Sequence, residues 1–333
     1  MDHVTSKRSA KRVAPGRAVV IHANEGWLAR LQDEKIDAVH KIATRATREG
    51  YQVLTVAAGS KAAAVLDARP HDDAHGDLRL ILGGATGLAT NTLHLHPGPI
   101  WGFWYLDELG IGGQSSIRFA QFCAELVDYD KAKYFFDGVT GYMLRENISQ
   151  SPQEVRMHAP LRGAKAVIFC QDIEAQSPRT HYLTNEEMIR TVAEHDRDAR
   201  IYVKLHPAQS RSSRRALMDV TQDYPNVKLS EASIHDLIEA ADLVVTQTST
   251  TGFEALMQKC PVITCGKTEY WQATLTAHTA ADLREALEFG AEAMAAFPYE
   301  KYFYWFLGLR LLEPAKDKFA ARAWARLRDK AFL

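Results

Sequence analysis

A chain of 333 residues and 37.2 kDa has room for about two domains at roughly 150 residues each. Its 46% apolar and 24% charged residues are globular proportions, which exclude a disordered, collagen-like or disulfide-framework chain. The 40 Lys and Arg against 41 Asp and Glu leave a net charge of −1, so no overall excess points to nucleic acid or to an acidic solvating tail.

The first segment, residues 1–16, is polar and basic, with Lys7, Arg8, Lys11 and Arg12 and no apolar stretch behind them. It does not read as a secretory signal but as a disordered basic tail; a transient contact with anionic lipid is the alternative. Residues 18–22 read as a strand. A helix is expected from Trp27 to Arg48, with Leu28, Leu31, Ile36, Val39, Ile42 and Ala46 at helical spacing and Gly50 as its stop. Residues 52–57 form a second strand, 61–66 a short helix and 78–82 a third strand. This alternation predicts βαβ units and a parallel sheet.

Residues 94–116 break the rhythm with prolines, glycines and the aromatic run Trp101, Phe103, Trp104, Tyr105. Helices are expected over 117–127 and 130–142. Residues 149–162, polar and holding Pro152 and Pro160, read as a linker. Strand–helix alternation resumes at 166–170 and runs through strands at 201–204, 227–229, 243–246 and 261–265. Helices fall between them, one opened by the capping box of Thr184 and Glu187. The expected architecture is therefore an N-terminal domain over 17–151, a second α/β domain over 152–298, and C-terminal helices over 299–333.

No apolar run is long enough to span a membrane. The four cysteines form no CxxC pair, so they read as reduced thiols rather than as disulfides or metal ligands. His94 and His96 lack the acidic or cysteine neighbours that a metal site needs.

Four stretches carry chemistry. In 246–256 an apolar strand runs into Ser249, Thr250, Thr251 and Gly252, then a helix. Hydroxyls and free N–H groups at a helix N-terminus favour an anion, and Gly252 would allow close approach of a phosphate. Glu254 falls in the first turn. Lys204-Leu205-His206-Pro207 ends another strand of the same half, and in an open parallel sheet ligands sit at the carboxyl ends of strands. His206 could protonate a phosphate leaving group beside the charge of Lys204. Gln171, Asp172 and Glu174 follow the first strand of that half, where a carboxylate could act as nucleophile or base. In the first half, Glu108 lies in a glycine-rich loop and could act as acid or base.

Together these stretches resemble the capsule polysaccharide biosynthesis family, which includes bacterial β-Kdo transferases. Ser249-Thr250-Thr251-Gly252-Phe253-Glu254-Ala255-Leu256 is close to its Ser-Thr-x-Gly-x-Glu-Ala-Leu, Lys204 to Pro207 to its Lys-x-His-Pro, and Glu108-Leu109-Gly110 to its Glu-x-Gly. Gln171 matches the Gln of its strand-end motif. The likeness covers about 164–271 well, and the first half only through Glu108.

The resemblance implies a GT-B fold of two Rossmann-like domains and transfer of a sugar, Kdo or a related acidic one, from a CMP-activated donor. The acceptor would be a growing polysaccharide or lipid-linked glycan. Lys204, Gln171, Ser249, Thr250, Thr251, Gly252 and Glu254 would then hold the donor, with Glu254 on the nucleoside sugar. His206 would serve the leaving group, Glu108 the acceptor hydroxyl, and Asp172 or Glu174 the floor of the crevice. No metal or permanent cofactor and no nucleic acid is expected. The location would be cytoplasmic, with the last helix docked on the first domain; a basic face of that helix touching the inner membrane is the alternative. One position departs from the family: Ala175 stands where a candidate nucleophilic Asp is expected. That leaves retaining and inverting chemistry both open. It also keeps three rivals: a UDP-sugar 2-epimerase, a CDP-glycerol glycerophosphotransferase and a non-catalytic scaffold in capsule assembly.

Overall fold

The structure, a computed structural model, describes residues 1–14, 17–33, 36–69, 76–84 and 90–330. The chain forms two compact units. The first comprises Met1–Gly98, Gly102–Ser116 and Leu307–Leu333, and the second Pro99–Trp101 and Ile117–Phe306. The boundary at Ile117 lies well before the expected linker.

The first unit opens with β1 (Asp2–Val4) and α1 (Lys7–Lys11). The expected disordered tail is thus corrected: β1 pairs in parallel with β3, and Ser6 and Ser9 close a capping box on α1. Ordering follows from burial of Val4 and Ala10 against Leu54, Val56 and Leu66, a partner set far along the chain.

Next come β2 (Ala18–Ala23), α2 (Glu25–Gln32), α3 (Asp37–Arg48), β3 (Gln52–Ala57), α4 (Lys61–Asp67), β4 (Leu78–Leu82), β5 (Thr92–Pro97) and β6 (Trp104–Asp107). The single helix expected over 27–48 is two helices. α2 is capped by Asn24, and α3 buries Ala38, Val39, Ile42, Ala43 and Ala46 on one stripe. The sheet order is β1-β3-β2-β4-β5-β6, parallel except for the β5–β6 pair.

The second unit contains α5 (Tyr129–Arg145), β7 (Ala164–Phe169), α6 (Asn185–His195), β8 (Ile201–Lys204), α7 (Arg211–Gln222), β9 (Val227–Leu229), α8 (Ile234–Glu239), β10 (Ala241–Thr246), α9 (Thr250–Ala255), β11 (Val262–Thr264), β12 (Leu275–Thr276), α10 (Ala280–Met294) and α11 (Tyr299–Phe303). The helix expected over 117–127 is replaced by short 3-10 turns at Ser116–Phe119 and Ala124–Leu126.

The strand order β12-β11-β10-β7-β8-β9 is all parallel, the 3-2-1-4-5-6 order of a doubly wound sheet. β7, β8, β10 and β11 are almost wholly apolar because helices cover both of their faces. The order reverses between β7 and β10, so the crevice for a ligand is expected outside their carboxyl ends.

After a π-helical stretch at Tyr304–Arg310, α12 (Phe319–Lys330) belongs to the first unit. It buries Phe319, Ala323, Trp324 and Leu327 in the core that α3 and the sheet share. α11 stays in the second unit beside α5. Of the region expected to dock on the first domain, only the part after Phe306 lies in that unit. No described helix is long and apolar enough to cross a membrane. Cys170, Cys260 and Cys265 are buried free thiols and Cys123 an exposed one.

Candidate functional site

At the switch point of the second sheet, a pocket of about 70 Å³ is lined from three strand ends. Phe169 and Cys170 come from β7, Lys204 to Pro207 from β8, and Ser249 to Thr251 with Glu254 from the turn into α9. The sequence-predicted residues Lys204, His206, Ser249, Thr250, Thr251 and Glu254 therefore share one wall system.

Lys204 Nζ donates to the carbonyls of Glu231 (2.9 Å) and Ala232 (2.8 Å), which fixes the ammonium at the rim with one N–H left over. Burial pushes its pKa down. His206 accepts a hydrogen bond at Nδ1 from the Ala208 backbone N–H (3.1 Å). That bond assigns the neutral tautomer with its proton on Nε2. Burial lowers the imidazole pKa below 6.5, against the pull of the Asp172 carboxylate, so His206 is a neutral donor near pH 7.

Ser249 caps α9, its Oγ accepting from the Thr251 N–H at 3.1 Å, and its carbonyl accepts from the buried Tyr270 hydroxyl.

Gly252 is closely packed. It is buried, and a Cβ there would stand 2.7 Å from Tyr270 Oη and 3.1 Å from Thr246 Cγ2. The glycine is required for packing against β10 and Tyr270.

Glu254 is fully buried. Its Oε2 accepts from Ser149 Oγ at 3.1 Å, and its carboxyl also takes the Gln150 N–H, while Oε1 has no partner among the described residues. Burial outweighs both hydrogen bonds and pushes its pKa up to about 8, so it is a neutral carboxyl at pH 7. Ser149, Gln150, Ser151 and Gln153 also line the pocket. The expected linker is thus corrected: this stretch is a strap across the site. Ile234 N–H donates to Gln153 Oε1 (3.0 Å), His235 Nε2 bonds the Ile148 carbonyl (2.9 Å), and Arg156 pairs with Asp236 and Glu239.

The loop after β7 is built rather than free. Gln171 Oε1 accepts from the Thr248 N–H at 2.7 Å. Glu174 Oε1 accepts from Asn185 N (2.6 Å), Asn185 Nδ2 (2.8 Å) and Gln247 Nε2 (3.1 Å). Asp172 Oδ2 accepts from Ser210 N–H at 2.8 Å, at the cap of α7. Glu174 therefore braces the start of α6 against the residue that follows β10. Asp172 faces His206 electrostatically.

Sequence reasoning missed Asn185, Gln247 and Tyr270. The first two carried a signal, since polar side chains sit directly against buried strand or helix ends; Tyr270 carried none.

Glu108 lies in the other unit, in the loop after β6. The buried Asp107 shapes that loop by accepting from Leu109 N (2.8 Å), Gly110 N (3.1 Å) and Ser116 Oγ (2.7 Å). Glu108 forms an ion pair with Lys330 of α12. Burial pulls its pKa up, but Lys330 and Ser116 outweigh that and hold it below 4.5. It is a fixed anion with reduced proton affinity, a weak base for an acceptor hydroxyl. Among the described residues no cluster of His, Cys, Asp or Glu is arranged to hold a metal ion.

Residues 171–296 match the model of the family described as capsule polysaccharide biosynthesis protein. No curated protein matches the chain. Among solved structures, KpsC of Thermosulfurimonas dismutans, a beta Kdo 2,7 transferase, is similar at 16% identity and TM-score 0.50, covering 80% of this chain and 88% of that one. Its beta Kdo 2,4 transferase counterpart reaches 17% identity and TM-score 0.46, covering 81% and 89%. The UDP-GlcNAc 2-epimerase of Methanocaldococcus jannaschii reaches 11% and 0.37, covering 94% and 99%. The first likeness is one of fold: two Rossmann-like α/β units of the GT-B class.

Proposed function

We propose that this protein, whose residues 171–296 carry the capsule polysaccharide biosynthesis family's segment, is a glycosyltransferase. It would move an acidic sugar, Kdo or a relative, from a CMP-linked donor to a cell-surface polysaccharide or glycolipid. One observation carries the reading. Lys204, His206, the Ser249–Thr251 hydroxyls and the unpartnered Glu254 Oε1 converge on one pocket at the switch point of a doubly wound sheet.

In this reading the bond from the anomeric carbon to the phosphate oxygen breaks, and its electron pair stays on the nucleoside monophosphate. His206 Nε2–H donates to that oxygen as charge grows, and the Lys204 ammonium stabilises it. The Thr250 and Thr251 hydroxyls hold the phosphate. Glu254, neutral with its proton on Oε1, meets a ribose hydroxyl. The Asp172 carboxylate supports the proton affinity of His206 against burial, so the imidazole stays neutral and shares its Nε2 proton in a hydrogen bond without giving it up. With Ala175 at the family's nucleophile position and Glu174 held by three hydrogen bonds, a covalent intermediate would fall to Asp172, the remaining carboxylate of this loop. The acceptor hydroxyl's proton leaves to a base in the acceptor site or to water.

Calorimetric titration with CMP, CDP, UDP and GDP tests the donor pocket. The expected result is preferential CMP binding, weakened at least tenfold by His206→Ala and by Ser249→Ala. Preference for UDP would overturn the CMP assignment and favour an epimerase-like activity. No binding of any nucleotide would overturn the enzyme reading and leave a scaffold.

A further inference from the structure

The amino-terminal ends of β7, β8 and β9 form a second hollow, on the opposite edge of the sheet from the nucleotide pocket. Six strand residues separate the two edges along β7, about 20 Å at strand rise. The hollow is larger, about 510 Å³, and four cations line it: Arg162, Arg197, Arg200 and Lys228, against one carboxylate, Asp198. None of the four makes an ion pair with a described carboxylate. Several other cations of the same unit do have acidic partners, among them Arg156 with Asp236, Arg190 with Glu186 and Lys259 with Glu300.

A helix-terminus explanation covers the cluster only in part. α6 ends at His195, close in sequence to Arg197 and Arg200, and cations complement the negative end of a helix. The carbonyls of Ala193 and Asp196 there are, however, already taken by Asn226 Nδ2 at 3.0 Å each. Arg162 precedes β7 and Lys228 lies within β9, so neither belongs to a helix end.

Like charges brought together from two connections and a strand, without acidic partners, fit an anionic ligand. Three guanidinium groups favour carboxylate, phosphate or sulfate through paired N–H donors. No aromatic ring lines the hollow, so base stacking is not provided for. Pro225 is its one apolar side chain, so nothing is offered to insert into a bilayer. We propose that this basic hollow binds an acidic glycan chain, at a site separate from the nucleotide pocket. The anion site stands without the transferase reading, and the choice of a glycan as its occupant rests on that reading.

The test uses the full chain and fluorescein-labelled oligogalacturonate, a carboxylated glycan, with a neutral dextran oligosaccharide as control and anisotropy as the readout. The paired variants Arg197→Gln/Arg200→Gln and Arg162→Gln/Lys228→Gln should each weaken binding at least tenfold and flatten its salt dependence. Asp198→Asn should tighten it. Thermal unfolding and CMP titration of the same variants separate loss of folding or of the nucleotide site from loss of this one. Wild-type affinity in both pairs would overturn the proposal. So would equal binding of the neutral glycan, or tighter charge-dependent binding of single-stranded RNA or phosphatidylglycerol vesicles.

Discussion

The side chain of Gln171 reaches across the switch point of the second sheet, its Oε1 accepting a 2.7 Å hydrogen bond from the backbone N–H of Thr248. The same residue's N–H and carbonyl are bound by the Asn185 side chain at 3.1 and 2.6 Å. Gln171 thereby locks the ends of β7 and β10 and sets where the Ser249–Thr251 turn begins. Gln171→Leu leaves a part-buried N–H without its partner and should cost about 1–3 kcal/mol in chemical denaturation. It should also weaken CMP binding more than Asp172→Asn does.

Gly252 faces Tyr270 and Thr246 at distances that leave no room for a methyl group. Gly252→Ala should lower stability by about 1–3 kcal/mol, the usual range for overpacking. Gly252→Ala combined with Tyr270→Phe, which removes the hydroxyl nearest the new Cβ, should recover part of that loss in melting temperature. Had the glycine served phosphate approach instead, the alanine variant would lose nucleotide affinity with its melting temperature unchanged.

Glu254 binds its proton more tightly folded than unfolded, about 8 against 4.5. Between those pH values the folded state holds the extra proton, so stability falls as pH rises from about 4.5 to 8 and then levels off. Glu254→Gln keeps a neutral side chain of the same shape. Its melting temperature should show a smaller decline than wild type across that window, with the difference largest at pH 8 and above. Parallel curves would show that the carboxyl is ionised when folded.

Glu108 and Lys330 tie the last helix to the loop after β6. The folded pKa of Glu108 is depressed, so its contribution is present at neutral pH and lost as pH falls below about 4.5. A double-mutant cycle with Glu108→Gln and Lys330→Gln should give a coupling of about 1 kcal/mol at pH 7 that vanishes near pH 3. If Glu108 is a tether, Lys330→Gln should destabilise the protein without lowering turnover. If it is the acceptor base, Glu108→Gln should abolish turnover at unchanged stability.

Much of the second unit was legible because its signals are local. Runs such as Val167-Ile168-Phe169 and Leu243-Val244-Val245 are short, apolar and rich in β-branched residues, the pattern of strands buried on both faces. The capping pair Thr184 and Glu187 lies three residues apart, and both hydrogen bonds of its box are present. The hydroxyl run at Ser249 and the Lys-x-His-Pro at Lys204 sit at strand ends, where a parallel sheet presents its ligands.

What the sequence by itself determined, then, is the two-unit α/β plan and most of the residues around the switch-point pocket. These follow from periodicity and from spacing within a few residues. Tertiary structure decided what those residues are. Ser149 meets Glu254 across 105 residues, and burial there outweighs that hydrogen bond and turns an expected anion into a neutral carboxyl. Arg156 finds Asp236 across 80 residues, which makes a strap of an apparent linker. Asp2–Val4 becomes a strand only because β3 offers it an edge. Polar and short segments carry no periodic mark of their fate, since their energy comes from partners that only the fold brings near.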